Sequence, residues 1–272
     1  MNISDLAITS LETINAFDVV TGDYLFTLDE LQNTSIANTQ EKQDITGKGG
    51  RKLDSLKRNK SVTVSGNNGL MSGGLLELQT GSKFETKDTE VMWSDYVTVE
   101  DTLGDVTNRG RTTYKAVGTA GTEISALYIR NTDGTVGRKL TQVASESINP
   151  GEFYYNPTSK SVIVHNSDAP VWTELIVKYK RKINAAVLNN QSDIFSGKAT
   201  LYIDALAEDK CANVYRVQFF IPKADFNGDF TFDMGDNQSV HAFEAEALAG
   251  ACGAGGLLWT YTVFGADAED AA

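Results

Sequence analysis

The stretch GKATLYIDALAEDKCANVYRVQFFIPKADFNGDFTFDMGDNQSVHAFEAEALAG (197–250) decides the fold class. Leu201, Ile203 and Ala205 alternate with polar residues in its first segment. Val214, Val217, Phe219, Phe220 and Ile221 mark a strong second strand, and Phe230, Phe232 and Met234 alternate in a third. Val240, Ala242 and Ala245 continue the pattern in a fourth. Successive side chains of a strand point to opposite faces, so a period of two marks a strand with one buried face. Asn227-Gly228 reads as a tight hairpin, because both central residues of that turn take positive φ. The stretch therefore predicts a long β region with a hairpin at Asn227-Gly228.

Strand signals continue on both sides. LLWTYTVFG (257–265) adds one more strand, and ADAEDAA (266–272) is an acidic tail. Upstream, VMWSDYVTV (91–99), AVGT (116–119), ISALYIRN (124–131), GEFYYN (151–156), KSVIVHN (160–166) and ELIVKYKRK (174–182) read as short strands. The turns NTDGT (131–135), NPTSK (156–160) and NSDAP (166–170) separate them, each with the Asn, Asp, Gly or Pro chemistry that reverses a chain. This spacing suggests a sandwich or barrel module. KSVTVSG (60–66) alternates Val62 and Val64. GLMSGGLLELQTG (69–81) fits a short helix, with Ser72 as N-cap and Gly81 just past its end. Residues 1–60 read as polar and irregular. The expected organisation is an N-terminal region with a basic arm (1–59), a β core with a short helix (60–90 and 183–265), a β-rich insertion or extension (91–182) and the acidic tail.

The 272 residues carry 24 Lys+Arg against 36 Asp+Glu, a net charge of −12. Phosphate affinity comes from Lys and Arg, so this balance argues against a general nucleic-acid binder. No apolar run approaches the roughly 20 residues of a membrane-spanning helix. The N-terminal stretch has neither the basic start nor the apolar run of a signal peptide. Cys211 and Cys252 by themselves make neither a disulfide framework nor a zinc site, and both are expected to be reduced.

No catalytic constellation stands out. Asp225, Asn227, Asp229, Thr231, Asp233 and Asp236 fall at the spacing of an EF-hand loop, but Phe230 stands where that loop needs Gly and Asp236 where it needs Glu. A hairpin accounts for every residue there. GKGGRK (47–52) lacks the spacing and the Lys-Ser/Thr end of a phosphate loop. His165 and His241 sit in strand patterns, where a hydrogen-bonded structural histidine is the common case. The chain is expected to be no enzyme and to carry no cofactor or metal.

Charge is distributed unevenly. Between Glu41 and Lys60, seven bases (Lys42, Lys48, Arg51, Lys52, Lys57, Arg58, Lys60) face three acids (Glu41, Asp44, Asp54), a local net of +4. Residues 203–272 hold twelve acids against three bases, a local net of −9. The basic segment reads either as an arm with a solvated face or as one that docks on an acidic neighbour, such as another copy of the chain.

The order of these features resembles the major tail tube proteins of long-tailed bacteriophages. The likeness rests on the polar arm running into an alternating strand (34–66), the helix within 69–81 and the strands of 197–250. It implies a mainly β fold: a tail-tube-type barrel or sandwich with a short flanking helix, a long basic loop or arm and an inserted β module. It further implies six-copy rings stacked into a hollow tube, a virion component assembled in the bacterial cytoplasm. Partners would be further copies of the chain, the tape measure, baseplate and terminator proteins, and double-stranded DNA that passes without tight binding. On this reading Lys48, Arg51, Lys52, Lys57, Arg58 and Lys60 form the ring-stacking interface. Asp229, Asp233, Glu244 and Glu246 are the candidates for an acidic lumen that repels phosphate. The alternative is another phage structural protein, from the neck, baseplate or capsid surface. A third reading is a surface β-sandwich that binds sugar or calcium.

Overall fold

The computed structural model describes residues 5–103, 106–232, 240–249 and 256–265. The first strands are β1 (Ala7–Asp18), β2 (Tyr24–Leu28), β3 (Leu31–Thr46) and β4 (Lys52–Asn68), followed by helix α1 (Gly73–Thr80). Then come β5 (Glu85–Thr98), β6 (Asp101–Thr102), β7 (Thr107–Arg111), β8 (Ile124–Arg130), β9 (Val136–Val143), β10 (Glu152–Asn156), β11 (Ser161–His165) and β12 (Glu174–Val187). The last are β13 (Lys198–Glu208), β14 (Val214–Phe226), β15 (His241–Ala247) and β16 (Thr260–Gly265). Among the described residues the fold is mainly β, with one short helix.

Two compact units result: residues 1–84 with 188–272, and residues 85–187. β5 and β12 pair without a break from Glu174↔Thr98 to Val187↔Glu85, which places the boundaries at 84/85 and 187/188 rather than at 90/91 and 182/183. In the first unit the strand order is β2-β1-β13-β14-β15-β4-β3, with β16 also on β14. β16 pairs with residues 215–220 of β14 and β15 with residues 224–226, so one edge of β14 serves two partners in succession. The sheet curls into a half-barrel. Ile8 and Leu11 of β1 and Thr34 and Ile36 of β3 border one small cleft despite their distance along the sheet.

Alternation drives this burial. Ala199, Leu201, Ile203, Ala205 and Ala207 of β13 are buried, and the residues between them are not. Ile14, Phe26, Leu28, Val62, Val64, Ile221, Phe226 and Phe243 join Ala199, Leu201 and Ile203 in one core, closed by Leu75 of α1, while Ala205 and Ala207 pack with Val217 in a second cluster. The helix begins as its sequence predicts: Ser72 Oγ accepts from Leu75 N at 3.3 Å. It ends at Gly81, which takes a φ of 70°.

In the second unit the order is β5-β12-β8-β9-β10-β11-β7-β6. The sheet folds over so that Val97, Leu127, Leu175, Val177 and Tyr179 share a core with Phe153, Tyr155, Val162 and Val164. Residues 116–119 form no strand. Their approach is fixed instead by buried tyrosines: Ala116 N donates to the Tyr155 hydroxyl at 2.9 Å and Tyr114 N to the Tyr179 hydroxyl at 3.0 Å. The Tyr179 hydroxyl in turn donates to Asp95 Oδ2 at 2.6 Å. Burial pushes the Asp95 carboxyl up, but donors from Tyr179, Thr113 and Trp93 outweigh it and hold the group below its ordinary value. Burial and the neighbouring carboxylate both push the Tyr179 hydroxyl up.

The N-terminal region is not irregular. β1 pairs with β13 over most of its length, and β3 pairs with β4. The stretch 229–232, expected as part of a strand over 229–235, forms none, and residues 233–239 lie outside the described residues. Gly228 does not take positive φ, so no tight Asn-Gly turn forms. Asn227 N instead donates to Glu244 O at 2.8 Å, which extends the pairing with β15. Phe230 and Phe232 pack their rings 6.3 and 6.2 Å from the His241 imidazole.

Candidate functional site

The basic segment is the outer part of the β3–β4 hairpin. Pairing runs from Leu31↔Asn68 to Thr46↔Lys52, and Gly47 N closes the turn on Arg51 O at 2.8 Å. Beyond Thr39↔Ser61 nearly every residue is exposed. At about 3.3 Å per residue this free part reaches about 20 Å past the core. A bulge separates it from the inner hairpin: Gln40 stands opposite both Asn59 and Lys60, with Asn59 at a φ of 51°.

Strand parity sorts the arm's side chains into two faces. Lys42, Asp44, Ser55 and Lys57 continue the face that is buried lower down, and Glu41, Gln43, Ile45, Asp54, Leu56 and Arg58 the opposite one. Two of the six expected interface cations are already paired on the hairpin: Lys52 with Asp44 at 2.6 Å and Arg58 with Glu41 at 3.6 Å. The Asp44 carboxylate holds Lys52 above the ordinary lysine range. Among the described residues Lys48, Arg51, Lys57 and Lys60 make no ion pair. Ile45, Leu53 and Leu56 are exposed on the same arm, and sequence reading passed over them. Their signal is three large apolar residues within a strongly charged stretch that has no core to meet.

The acidic candidates lie on β15, the strand that pairs with the inner part of β4, and just before it. On β15, His241, Phe243, Ala245 and Ala247 face the core, and Glu244 and Glu246 face outward across from Ser65 and Thr63 of β4. Glu246 stands opposite Asp225 of β14, and Lys198 lies 3.6 Å from that carboxylate. Glu244 and Asp229 line one polar cleft of about 390 Å³ with Asn33, Ser65, Asn67 and Asn227. The structure thus brings Asp229 and Glu244 together, but Asp229 is not on a strand as expected. Asp233 lies outside the described residues. Sequence reading did not single out Asp204, which accepts from Gln218 Nε2 at 2.8 Å and from Thr13 Oγ1 at 3.3 Å on the outward face of β13.

His241 is a structural residue. It is fully buried, its Nε2 lies 2.8 Å from Gln79 Oε1, and its Nδ1 accepts from Ser72 N at 3.3 Å. These contacts tie both ends of α1 to β15 and need the neutral ring. Burial holds the imidazole below its ordinary value. The unfolded chain therefore binds a proton near pH 6.5 that the folded chain refuses. Stability from this site is complete above about pH 6.5 and falls as the pH drops below it. Thermal melts should show the gap between wild type and His241→Gln narrowing from pH 7.5 to pH 5.5; a constant gap contradicts this. Cys211 is an exposed free thiol, and Cys252 lies outside the described residues. Among the described residues no helix is long and apolar enough to cross a membrane.

The chain contains a free, mixed basic and apolar hairpin and an acidic sheet face, within a curled antiparallel sheet. A model of the YomU/Tube protein family matches residues 6–256. No curated protein matches the chain.

Proposed function

Because the chain belongs to the YomU/Tube protein family, we propose that it is a structural protein of a phage tail tube, built from six-copy rings stacked around a conduit for the genome. The observation that carries this reading is the outer β3–β4 hairpin. Its strands are paired almost to the tip, yet among the described residues its cations Lys48, Arg51, Lys57 and Lys60 make no ion pair, and its apolar Ile45, Leu53 and Leu56 stay exposed. A surface that combines unpaired charge with exposed apolar groups fits an assembly contact. Other acids of the strongly acidic 203–272 stretch, such as Asp204, Glu208 and Asp225, are its counterpart by charge on the next ring. The edge strands β2 and β3 offer backbone groups for pairing between copies, and closure into a ring removes such edges. Assembly takes place in the host cytoplasm, with the tape measure, baseplate and terminator proteins as further partners and the virion tail as the destination.

The acid surplus has a second use. Residues 85–187 hold twelve Lys+Arg against thirteen Asp+Glu, so nearly the whole net charge of −12 belongs to the first unit. Carboxylates along a lumen repel DNA phosphates at short range, and the duplex then slides without binding. Asp229, Asp233, Glu244 and Glu246 are the residues proposed for that lining. Tubes assembled from a chain with Asn or Gln at these four positions should form as the wild type does and pass DNA more slowly at low salt. Failure of the wild-type chain to polymerise, or unchanged DNA passage by the variant, contradicts the proposal.

A further inference from the structure

The second unit carries a surface feature that its fold does not need. Trp172 is the third residue of the turn Pro170–Thr173, in which Thr173 N donates to Pro170 O at 3.0 Å. Its φ is +75°. That is the turn position where positive φ favours Gly, and a bulky side chain there is a backbone outlier. Burial does not offset this strain, because Trp172 is 78% exposed. Trp172 N donates to Val99 O at 2.8 Å, which anchors the turn to the end of β5. A strained residue held with its ring in solvent points to a use outside the fold.

The surroundings indicate that use. Trp172 lines a cleft of about 480 Å³ with Arg130, Asn131, Thr132, Thr173 and Glu174. Arg130 and Glu174 form an ion pair, so the charged groups of the cleft compensate each other. The Arg130 guanidinium also lies 5.3 Å from the centroid of the Tyr96 ring, which is 68% exposed. Tyr96 and Tyr128 both stand opposite Ile176, on the outward face of β5, β12 and β8. The surface thus offers exposed aromatic faces, an amide, two hydroxyls and a neutralised ion pair. Nucleic acid requires free cations, and Arg130, the cation of this cleft, is already paired.

We propose that this surface binds a neutral saccharide. The apolar face of a pyranose ring stacks on Trp172, as amphipathic aromatic rings allow. The sugar hydroxyls exchange hydrogen bonds with Asn131, Thr132, Thr173 and the Arg130–Glu174 pair, which presents both donors and acceptors.

The test uses the full chain on an array of defined neutral and anionic bacterial oligosaccharides, followed by titration of the best neutral binder. Trp172→Gly is the informative variant, because Gly suits the turn. Binding should fall at least about tenfold, while the thermal midpoint stays within about 3 °C of wild type or rises. Tyr96→Ala should weaken binding less. The proposal is overturned by any of four results. These are no bound neutral glycan, binding unaffected by Trp172→Gly, binding confined to anionic glycans and abolished by salt, or a larger fall in midpoint that makes Trp172 structural. Trp172-dependent self-association without glycan binding, seen by light scattering, would assign the surface to a second copy of the chain and overturn it as well.

Discussion

Replacing Gly81 by Val is expected to destabilise the first unit by about 4 kcal/mol or more, a loss that single substitutions reach only by a specific mechanism. Two causes add. Gly81 ends α1 with a φ of 70°, a conformation that costs an L-residue roughly 1–2 kcal/mol. A Cβ there would also stand 2.1 Å from Phe195 O and 2.8 Å from Ile194 Cγ2. The backbone carbonyl cannot move freely, because the segment behind it is tied to the helix by Gly197 N donating to Leu78 O at 2.8 Å. Gly22 separates the two causes. It has a φ of 75° with nothing within 4 Å of its Cβ position. Gly22→Ala should therefore cost only about 1 kcal/mol, and Gly81→Ala clearly more. Calorimetric or circular-dichroism melts measure both. Equal losses at the two positions would show that the crowding around Gly81 contributes nothing.

The second large effect concerns assembly rather than folding. The triple variant Lys48→Glu, Arg51→Glu, Lys57→Glu is expected to keep its thermal midpoint and lose polymerisation. These side chains are exposed and make no ion pair among the described residues, so their change should cost the fold no more than about 0.5 kcal/mol each. Across a ring-to-ring contact the same change places like charges together, a penalty of several kcal/mol. Each 1.4 kcal/mol raises the critical concentration about tenfold. High salt should weaken wild-type assembly and partly relieve the variant, since screening acts on exposed charges. Replacing Leu53 and Leu56 by Ser should also weaken assembly, but without that salt response. Sedimentation across salt concentrations distinguishes the two contributions. A triple variant that polymerises like wild type would remove the hairpin from the interface.

The elements legible in the sequence were those whose alternation is uninterrupted and whose face is buried. β13 keeps strict alternation from Ala199 to Ala207, and its reading was direct. Ser72 and Gly81 bracketed α1 because capping is local chemistry. β1 was hidden by two register shifts, at Ile8/Ser10 and Leu11/Thr13, which break the period of two. The outer β3–β4 hairpin was hidden for a different reason: an arm without a core has no apolar face to alternate. The opposite error arose at 229–235. Phe230 and Phe232 alternate with polar residues, but they do so to flank His241, not to build a strand. Of the site, the charge polarity was visible in composition. The pairing of Lys52 with Asp44 and Arg58 with Glu41 was not, because it depends on the register across the hairpin.

On the proposed function, copies of this chain build a hollow tube through the β3–β4 hairpin. Negative-stain electron microscopy of the purified chain tests it most directly, with the triple charge-reversal variant beside it. Stacked rings or hollow tubes are expected from the wild type and none from the variant. Wild-type particles that remain single chains or trimers at every concentration would contradict it.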